Sequence, residues 1–228
     1  MAQERAERTR GRLMEAGAVL FDRCGYAGAT LGEIAGAAGV TKGALYFHFA
    51  SKEELARAVL EQAEGTLRDA CSTLRTTSSP LQALIDSGYW LVDALGSDAV
   101  IRAAFRLGRE GGAWLGEAAP VAAAMGAQVT GAPVAGTQGF HGVWAGVVQD
   151  LLSGARRAGE LHDRPGGVGP ETLVVTAACG LEVVFSEGCS REERARRVGA
   201  LWEWLLPCLV PPGASGTYRT RPLTSVPA

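Results

Sequence analysis

The sequence predicts an all-α protein with a small N-terminal head of three short helices, a larger helical body and a C-terminal tail. Apolar residues recur at helical spacing in most segments, and no segment sustains the alternation expected of a strand. Three Ser/Thr-x-x-Glu patterns, which begin at Thr30, Ser51 and Ser190, are typical of helix starts. Of the 228 residues, 47% are hydrophobic and 20% are charged, a composition that argues against global disorder.

Three short helices are predicted in the head, residues 1–52. The first carries one buried stripe of apolar residues, which comprises Leu13, Ala16, Gly17, Leu20 and Phe21. Gly25 is a natural end for this helix. The second helix starts at Thr30 and the third at Thr41, with Gly39 in the tight turn between them. Two helices joined by a short glycine-containing turn are the layout of a helix-turn-helix.

The third helix is the candidate recognition element, because the second helix of a helix-turn-helix lies in the DNA major groove. Gly43 leaves out a side chain where the backbone must approach DNA, and Lys42 can reach a guanine edge or a phosphate. Tyr46 and His48 can hydrogen-bond phosphate oxygens. The candidate DNA-binding residues are Thr30, Thr41, Lys42, Gly43, Ala44, Tyr46, Phe47, His48 and Lys52.

Packing and charge both bear on this interpretation of the head. Leu45 and Phe49 are predicted to pin the third helix to the head, whereas Phe47 can face either side. The head has a net charge of +2 in a chain whose total is −2, which favours a polyanion as the partner of the head alone. Helix-turn-helix geometry also occurs in proteins that never bind DNA, so the pattern by itself leaves DNA binding open.

The body, residues 53–210, is predicted to be helical apart from one segment. A long fourth helix starts at the Ser51 capping box and runs to about Leu74. Further helices are predicted at 81–96, 98–109, 140–158, 170–186 and from 190 to just before Pro207. Residues 110–138 are rich in Gly, Ala and Pro and receive no firm assignment. Residues 211–228 combine turn-forming composition with no periodicity, which predicts a disordered tail.

The span from about Thr9 to Leu60 resembles the N-terminal domain of TetR-type transcriptional repressors. The residues that carry this resemblance are LFDRCGYAGATL and EIAGAAGVTKGALYFHFASKEELA. More narrowly, GALYFHF followed by SKEELA resembles the γ-butyrolactone autoregulator receptors. The resemblance implies a TetR-like fold, with a DNA-binding head and a ligand-binding and dimerisation body. It further implies that a dimer binds a palindromic operator in double-stranded DNA.

The same resemblance implies how such a repressor responds to its signal. The effector is a small apolar lactone-like molecule, of the γ-butyrolactone type or a related butenolide or furan, and secondary metabolism is the process controlled. Ligand binding moves the fourth helix, changes the spacing of the two heads and releases the operator. The alternative is a TetR-type regulator whose ligand is unrelated or lost.

Five residues of the body are candidates for the ligand site, namely Gln62, Trp90, Phe105, Trp144 and Thr176. Gln62 shares a helical face with Leu55 and Val59, which predicts a polar group on a buried face beneath the ligand. Trp144 matches the family's ligand-lining tryptophan, and Thr176 is a candidate hydroxyl donor to a ligand carbonyl. An isolated Trp is more often part of a core, and small residues near Thr176 can equally allow close helix packing.

Two apolar surfaces in the last two long helices are the predicted dimer interface, since a monomer would leave them exposed. The first lies on the helix at 170–186, on a stripe that comprises Leu173, Thr176, Ala177, Gly180, Leu181 and Val184. The residues predicted to meet the partner are Leu181, Val184, Val198, Leu201, Trp202 and Leu205.

An enzyme is not predicted, because the sequence contains none of the catalytic signatures considered. The three histidines are scattered, no Cys, His and Asp set has metal-ligand spacing, and neither G-x-S-x-G nor a phosphate-binding loop is present. No cofactor or metal is therefore expected. The sequence has an odd number of cysteines, five, and none forms a C-x-x-C pair, which predicts a reduced protein. Its N-terminus is charged and it has no apolar run of about 20 residues, so we expect a cytoplasmic protein with no membrane partner.

Overall fold

The computed structural model describes residues 2–110, 140–162, 173–174, 176–178, 180–181 and 189–222. The helices are α1 (Ala2–Gly28), α2 (Leu31–Ala37), α3 (Lys42–His48), α4 (Lys52–Thr77), α5 (Pro80–Ser97), α6 (Ala99–Arg109), α7 (Phe140–Arg157) and α8 (Arg191–Leu209). The described residues between 173 and 181 are also helical, and Ser215–Thr217 form a short 3₁₀ turn. Since no strand occurs among the described residues, the all-α prediction is confirmed.

The contacts divide the chain into two compact units. Residues 2–66 and 98–110 belong to the first unit together with Phe140, and the described residues at 67–97 and from His141 onwards belong to the second. The first unit thus groups α6 with the head helices, whereas the predicted division places α6 in the body. The functional boundaries drawn from the sequence stay a prediction.

Local signals position the helix-turn-helix as the sequence predicts. The Thr30 hydroxyl accepts from the Glu33 amide at 3.2 Å, and the Glu33 carboxylate accepts from the Thr30 amide at 3.1 Å, which completes the capping box. Gly39 adopts a left-handed conformation with φ 64°, which is easily accessible only to glycine. The chain can therefore turn sharply between α2 and α3.

Gly25 interrupts α1 where the sequence predicts an end, and a short second helical stretch follows it. Its backbone has φ 74° and ψ 177°, a region that only glycine occupies readily, and helical residues continue to Gly28. A Cβ atom at this position would clash with the carboxylate of Glu110, the residue that follows α6. The backbone angles therefore favour glycine here, and any other residue would also displace the Glu110 carboxylate.

The start of α4 differs slightly from the predicted capping box. The Ser51 hydroxyl accepts from the Glu54 amide at 3.1 Å, as expected, but the Glu54 carboxylate accepts from the amide of Ala50 at 2.7 Å. The helix then continues to Thr77, about one turn beyond the predicted end. No helix among the described residues is both long and apolar enough to cross a membrane.

The C-terminal end of α8 and the start of the tail differ from prediction. The helix passes through Pro207 to Leu209, because Leu206 and Leu209 are both 1% exposed and their burial outweighs the lost hydrogen bond of the proline. Residues 211–222 are placed in the structure, and Arg219 and Thr220 bond to α5, so the predicted disorder does not hold for this part of the tail. Residues 223–228, and the unassigned segment apart from Glu110, lie outside the described residues.

Polar contacts to α5 hold this part of the tail. The Arg219 Nη2 donates to both carboxylate oxygens of Asp86 at 2.9 Å, and Asp86 is only 5% exposed. The side-chain amide of Gln82 accepts from the Arg219 amide at 2.8 Å and donates to the Arg219 carbonyl at 3.2 Å. The Tyr89 hydroxyl donates to the Thr220 carbonyl. Because these contacts involve single residues that are far apart in sequence, they produce no periodic pattern from which they could be predicted.

Candidate functional site

Helix α3 divides into a buried face and an exposed face. Leu45 and Phe49 are both fully buried, which confirms their predicted role as anchors. Tyr46 is 56% exposed and Phe47 is 82% exposed, so Phe47 faces outwards. The Phe47 ring meets the His48 ring edge-on, with 5.2 Å between the ring centroids. The helix therefore presents two aromatic side chains to its surroundings.

Lys42 and Gly43 lie on the same exposed face, one turn before the two aromatic residues. The Lys42 Cε lies 2.8 Å from the position that a Cβ of Gly32 would occupy, so the lysine stem lies over the first turn of α2. A Cβ on Gly43 would meet only the Thr41 Oγ1, at 3.9 Å. Glycine is thus not required by packing within the head, and its bare backbone is open to an outside partner.

The two predicted threonines act first as helix caps. The Thr41 hydroxyl accepts from the Ala44 amide at 3.2 Å, at the start of α3. The Thr30 hydroxyl donates to the Glu33 carboxylate at 2.6 Å, and these hydrogen bonds lower the pKa of Glu33. Both threonines are exposed, so the caps lie on the surface of the head.

The structure gives Lys52 a role inside the head. Its ammonium donates to the carbonyls of Tyr26 at 2.7 Å and Ala29 at 2.9 Å, and it lies 4.3 Å from the centroid of the Tyr26 ring. An ammonium has three donors, and two are used to satisfy carbonyls that follow the kink of α1. The sequence did not predict these internal contacts, and the role of Lys52 as a DNA contact stays a prediction.

Charged groups of α6 hold the kinked end of α1, a feature that sequence reasoning missed. The Arg106 Nη1 donates to the Asp22 carbonyl at 2.6 Å, and the Arg102 Nε lies 2.7 Å from the Asp22 carboxylate. The Glu110 carboxylate accepts from the Tyr26 amide at 2.8 Å. These partners are about 80 residues apart in sequence, so no local pattern could reveal them. The contacts fix α6 to the head helices of the same unit.

Gln62 does not lie on a buried face. The buried stripe of α4 in the first unit is formed by Leu55, Val59 and Ala63, at spacings of four residues, and Gln62 is exposed beside it. The expectation of a polar side chain on a buried face is therefore wrong, and so is the reason for placing Gln62 beneath a ligand. The error arose because Gln62 and Ala63, at i+7 and i+8 from Leu55, lie on neighbouring parts of the helix surface.

Trp144 is a buried residue of the second unit. It is 1% exposed, and its indole Nε1 donates to the carbonyl of Ala178 at 3.1 Å. The structure thus brings Trp144 to the helix that carries Thr176. Trp90 on α5 is only partly exposed, whereas Phe105 in the first unit is 1% exposed and packs edge-on against Phe140 with centroids 4.8 Å apart.

The helical residues between 173 and 181 are rotated relative to the predicted stripe. Val174, Ala178 and Leu181 are buried, whereas Leu173 is 58% exposed and Thr176 is also exposed. The stripe assigned from the sequence therefore combined two faces of the helix. Packing selects one of two neighbouring apolar faces, and the sequence contains no local signal for that choice.

The predicted dimer residues of α8 also separate into two groups. Val198 and Trp202 are 0% and 5% exposed because they pack within the chain, as does Leu181, so these three do not form a free surface. Leu201 and Leu205 are partly exposed, and Val184 lies outside the described side chains. Sequence reasoning missed Trp204, which is 82% exposed and stands at i+3 from Leu201. The exposed face of α8 comprises Leu201, Trp204, Leu205 and Cys208.

Comparison with known proteins shows which regulators the chain is similar to. Residues 13–59 match the family described as bacterial regulatory proteins, tetR family. The A-factor receptor protein of Streptomyces griseus is 30% identical over 211 residues, which cover 92% of this chain and 67% of the relative.

Solved structures extend the similarity over both units. A γ-butyrolactone receptor described as ArpA-like is 32% identical over 93% of each chain, with a TM-score of 0.68. CprB of Streptomyces coelicolor, solved in complex with its biological operator sequence, is 31% identical over 93% of this chain and 94% of its own, with a TM-score of 0.71.

Proposed function

Since the chain belongs to the TetR family of bacterial regulatory proteins, in the branch of the γ-butyrolactone receptors, we propose that it is a ligand-responsive transcriptional repressor. It binds a palindromic operator as a homodimer, in the cytoplasm, and a small γ-butyrolactone-type molecule releases it. It controls secondary metabolism and performs no catalysis. The similarity to a structure solved on its operator supports the DNA-binding part of this proposal.

The exposed face of α3 is the observation that carries the proposal. A phenyl ring that is 82% exposed forgoes roughly 2 kcal/mol of burial, which a partner surface can recover. Phe47 is suited to the C5-methyl group of a thymine, and Lys42 to a guanine edge or a phosphate. Tyr46 supplies a hydroxyl for a phosphate oxygen, and Gly43 lets the backbone approach closely. These residue types on one short helix suit the floor of a major groove.

A second copy of the chain is the proposed partner of the exposed apolar residues in the second unit. Trp204 and Leu173 are 82% and 58% exposed, and they lie on the two elements that the family resemblance assigns to the dimer. Burial of both would contribute several kcal/mol at about 25 cal/mol per Å². A two-fold dimer places two recognition helices one DNA turn apart, about 34 Å, which requires an operator with matching symmetry.

A lactone is the proposed effector because two structural relatives are named γ-butyrolactone receptors. Such a ligand suits a mostly apolar site with few polar groups, for which Trp144, Trp90 and Thr176 of the second unit stay the proposed residues. Phe105, in the first unit, stays a separate candidate. To shift a 99:1 population to 1:99, the ligand must prefer the released state by about 5.5 kcal/mol. One hydrogen bond supplies about 1 kcal/mol, so apolar contact must supply most of the difference.

Footprinting upstream of the protein's own gene tests the DNA-binding part. We expect a protected site with two-fold symmetry, occupied by one dimer, and an affinity that falls steeply as salt rises because phosphate contacts release counterions. A matched variant with Phe47→Ala should protect the same region more weakly and discriminate less between operator and random DNA. A protected region without symmetry, or an affinity insensitive to salt, would refute the proposal.

The alternative function is a TetR-type regulator with an unrelated or lost ligand. The burial of Trp144 favours it, since a tryptophan that is 1% exposed and donates to a backbone carbonyl already has the partners of a core residue. Both proposals predict operator binding, and only the first predicts release by a lactone. A lactone titration therefore separates them.

A further inference from the structure

We infer that the first turns of α1 form a second DNA contact, in which Arg5, Arg8 and Arg12 bind backbone phosphates beside the bases contacted by α3. The inference rests on the proposed operator binding and adds residues that the sequence did not indicate. We call these three residues the arginine stripe. Its partner is the sugar-phosphate backbone of double-stranded DNA.

The arginine stripe lies on one face of α1. Its members are three and four residues apart, which places them on the same side of an α-helix over about 10 Å of its length. All three side chains are exposed, whereas Phe21, which lies on the opposite side of the helix, is fully buried. The stripe is therefore available to a partner while the other face of α1 builds the head.

The position of Arg12 ties the stripe to the recognition element. Its Nη2 lies 2.8 Å from the point that a Cβ of Gly39 would occupy. Gly39 forms the left-handed turn that leads from α2 into α3. The C-terminal end of the stripe thus lies at the entrance to α3 within the same compact unit, and Arg8 and Arg5 extend the positive charge away from that turn.

The other charged groups of these turns are Glu4, Glu7, Arg10 and Glu15. Glu4 lies one turn before Arg8 and reduces the positive charge at that end. The Arg10 guanidinium lies 4.7 Å from the centroid of the Phe49 ring, so Arg10 serves packing. Glu7 accepts from the Gln3 amide at 3.2 Å. Glu15, which is exposed, follows Arg12 by one turn and reduces the positive charge at that end.

Arginine suits this role because its planar guanidinium can donate two parallel hydrogen bonds to a phosphate. Phosphate contacts fix the register of a protein on DNA and carry no sequence information directly. The arginine stripe should therefore strengthen binding to any duplex by the same factor. The residues of α3, in contrast, should set the preference for the operator.

The test compares the salt dependence of DNA binding for full-length variants. Three phosphates per subunit make six per dimer, and each contributes about 0.9 to the slope of log K against log salt. We expect Arg5→Gln/Arg8→Gln/Arg12→Gln to lower the slope by about 5, on operator and on random duplex alike. The double variant Arg5→Gln/Arg8→Gln, which spares the contact at Gly39, should show about two thirds of that decrease.

Two controls separate charge from folding. The triple Arg→Lys variant keeps the charge and should keep most of the slope, and Arg221→Gln removes an exposed arginine from the other compact unit and should leave the slope unchanged. Melting curves check that each variant is folded. An unchanged slope in the folded Gln variants, or an equal loss in the Lys variant, would overturn the inference. Binding to random duplex tests the arginine stripe even if no operator is found. Failure to find an operator would count against the proposed repressor and not against the stripe.

Discussion

Gly43 occupies a position at which a methyl group changes the surface of α3 and little else. Its Cβ would meet only the Thr41 Oγ1 at 3.9 Å, and alanine favours a helix by about 1 kcal/mol over glycine. We expect Gly43→Ala to stabilise the head by up to that amount and to weaken operator binding, because the methyl group separates the backbone from DNA. Thermal unfolding and a mobility shift measure the two effects. A more stable variant with wild-type affinity would show that the glycine has no role at the interface.

Gly25 provides the opposite case. Alanine at φ 74° and ψ 177° is strained by about 1–3 kcal/mol, and its Cβ would displace the Glu110 carboxylate from the Tyr26 amide. We expect Gly25→Ala to lower the free energy of unfolding by about 2 kcal/mol or more, measured by urea denaturation. Gly65→Ala is the matched control, because Gly65 lies within α4 with no atom near its Cβ position and should gain about 1 kcal/mol. Equal effects of the two substitutions would contradict the kink.

Tyr89 gives the second unit a dependence on high pH. Burial, with smaller contributions from the Asp86 and Glu203 carboxylates, raises the pKa of Tyr89 from 10.0 to about 12. Below pH 10, the phenol is protonated in both the folded and unfolded states. Between pH 10 and 12, the unfolded chain releases the proton while the folded chain holds it, so stability falls as pH rises. The fall should be smaller in Tyr89→Phe, and an identical profile in both proteins would count against this account.

At the scale of elements, the tail and α5 form a small polar interface. Asp86 has 4% of its side chain exposed, and Arg219 supplies its counter-charge. Loss of one partner of a buried pair costs about 3–5 kcal/mol, but Arg219 is itself 39% exposed and Gln82 still donates to Asp86 at 3.0 Å. We therefore expect Arg219→Ala to cost about 2 kcal/mol of unfolding free energy.

The cost arises from an uncompensated carboxylate, so removal of that charge should reverse it. We expect Asp86→Asn to restore much of the stability in the Arg219→Ala background while it destabilises the wild type. A double-mutant cycle in urea measures the coupling between the two residues. Additive effects of the two substitutions would show that the tail does not depend on this ion pair.

Elements governed by local chemistry were predictable, and those governed by distant partners were not. The capping threonines, the turn at Gly39 and the anchors of α3 follow from patterns only a few residues long. The internal contacts of Lys52 and the exposure of Gln62 were not predicted, because the carbonyls that engage Lys52 lie more than 20 residues away and packing chooses between adjacent faces of α4. The same reason explains the rotated stripe near Thr176.

At the scale of the whole molecule, the fold class and the helix-turn-helix were accessible from the sequence, whereas the DNA-contacting residues and the ligand site stay proposals. An exposed recognition helix keeps its residue types visible in a short motif. A ligand site draws single residues from several helices. The burial of Trp144 is compatible both with a core residue and with a residue that lines a ligand site. The proposed release of the operator requires a bound ligand to change both heads of a dimer together, and local sequence patterns do not encode that property.

The most direct test of ligand control is a mobility-shift titration of the operator complex with a panel of γ-butyrolactones. The proposed function predicts that a lactone which binds the protein, as measured by calorimetry, also releases the operator. In Trp144→Phe, which leaves a smaller cavity than Trp144→Ala would, release should need more lactone because the proposed site loses apolar contact. Operator affinity without lactone should stay unchanged. If the operator remains bound when a lactone saturates the protein, or if no lactone binds at all, the protein is not a lactone-responsive repressor.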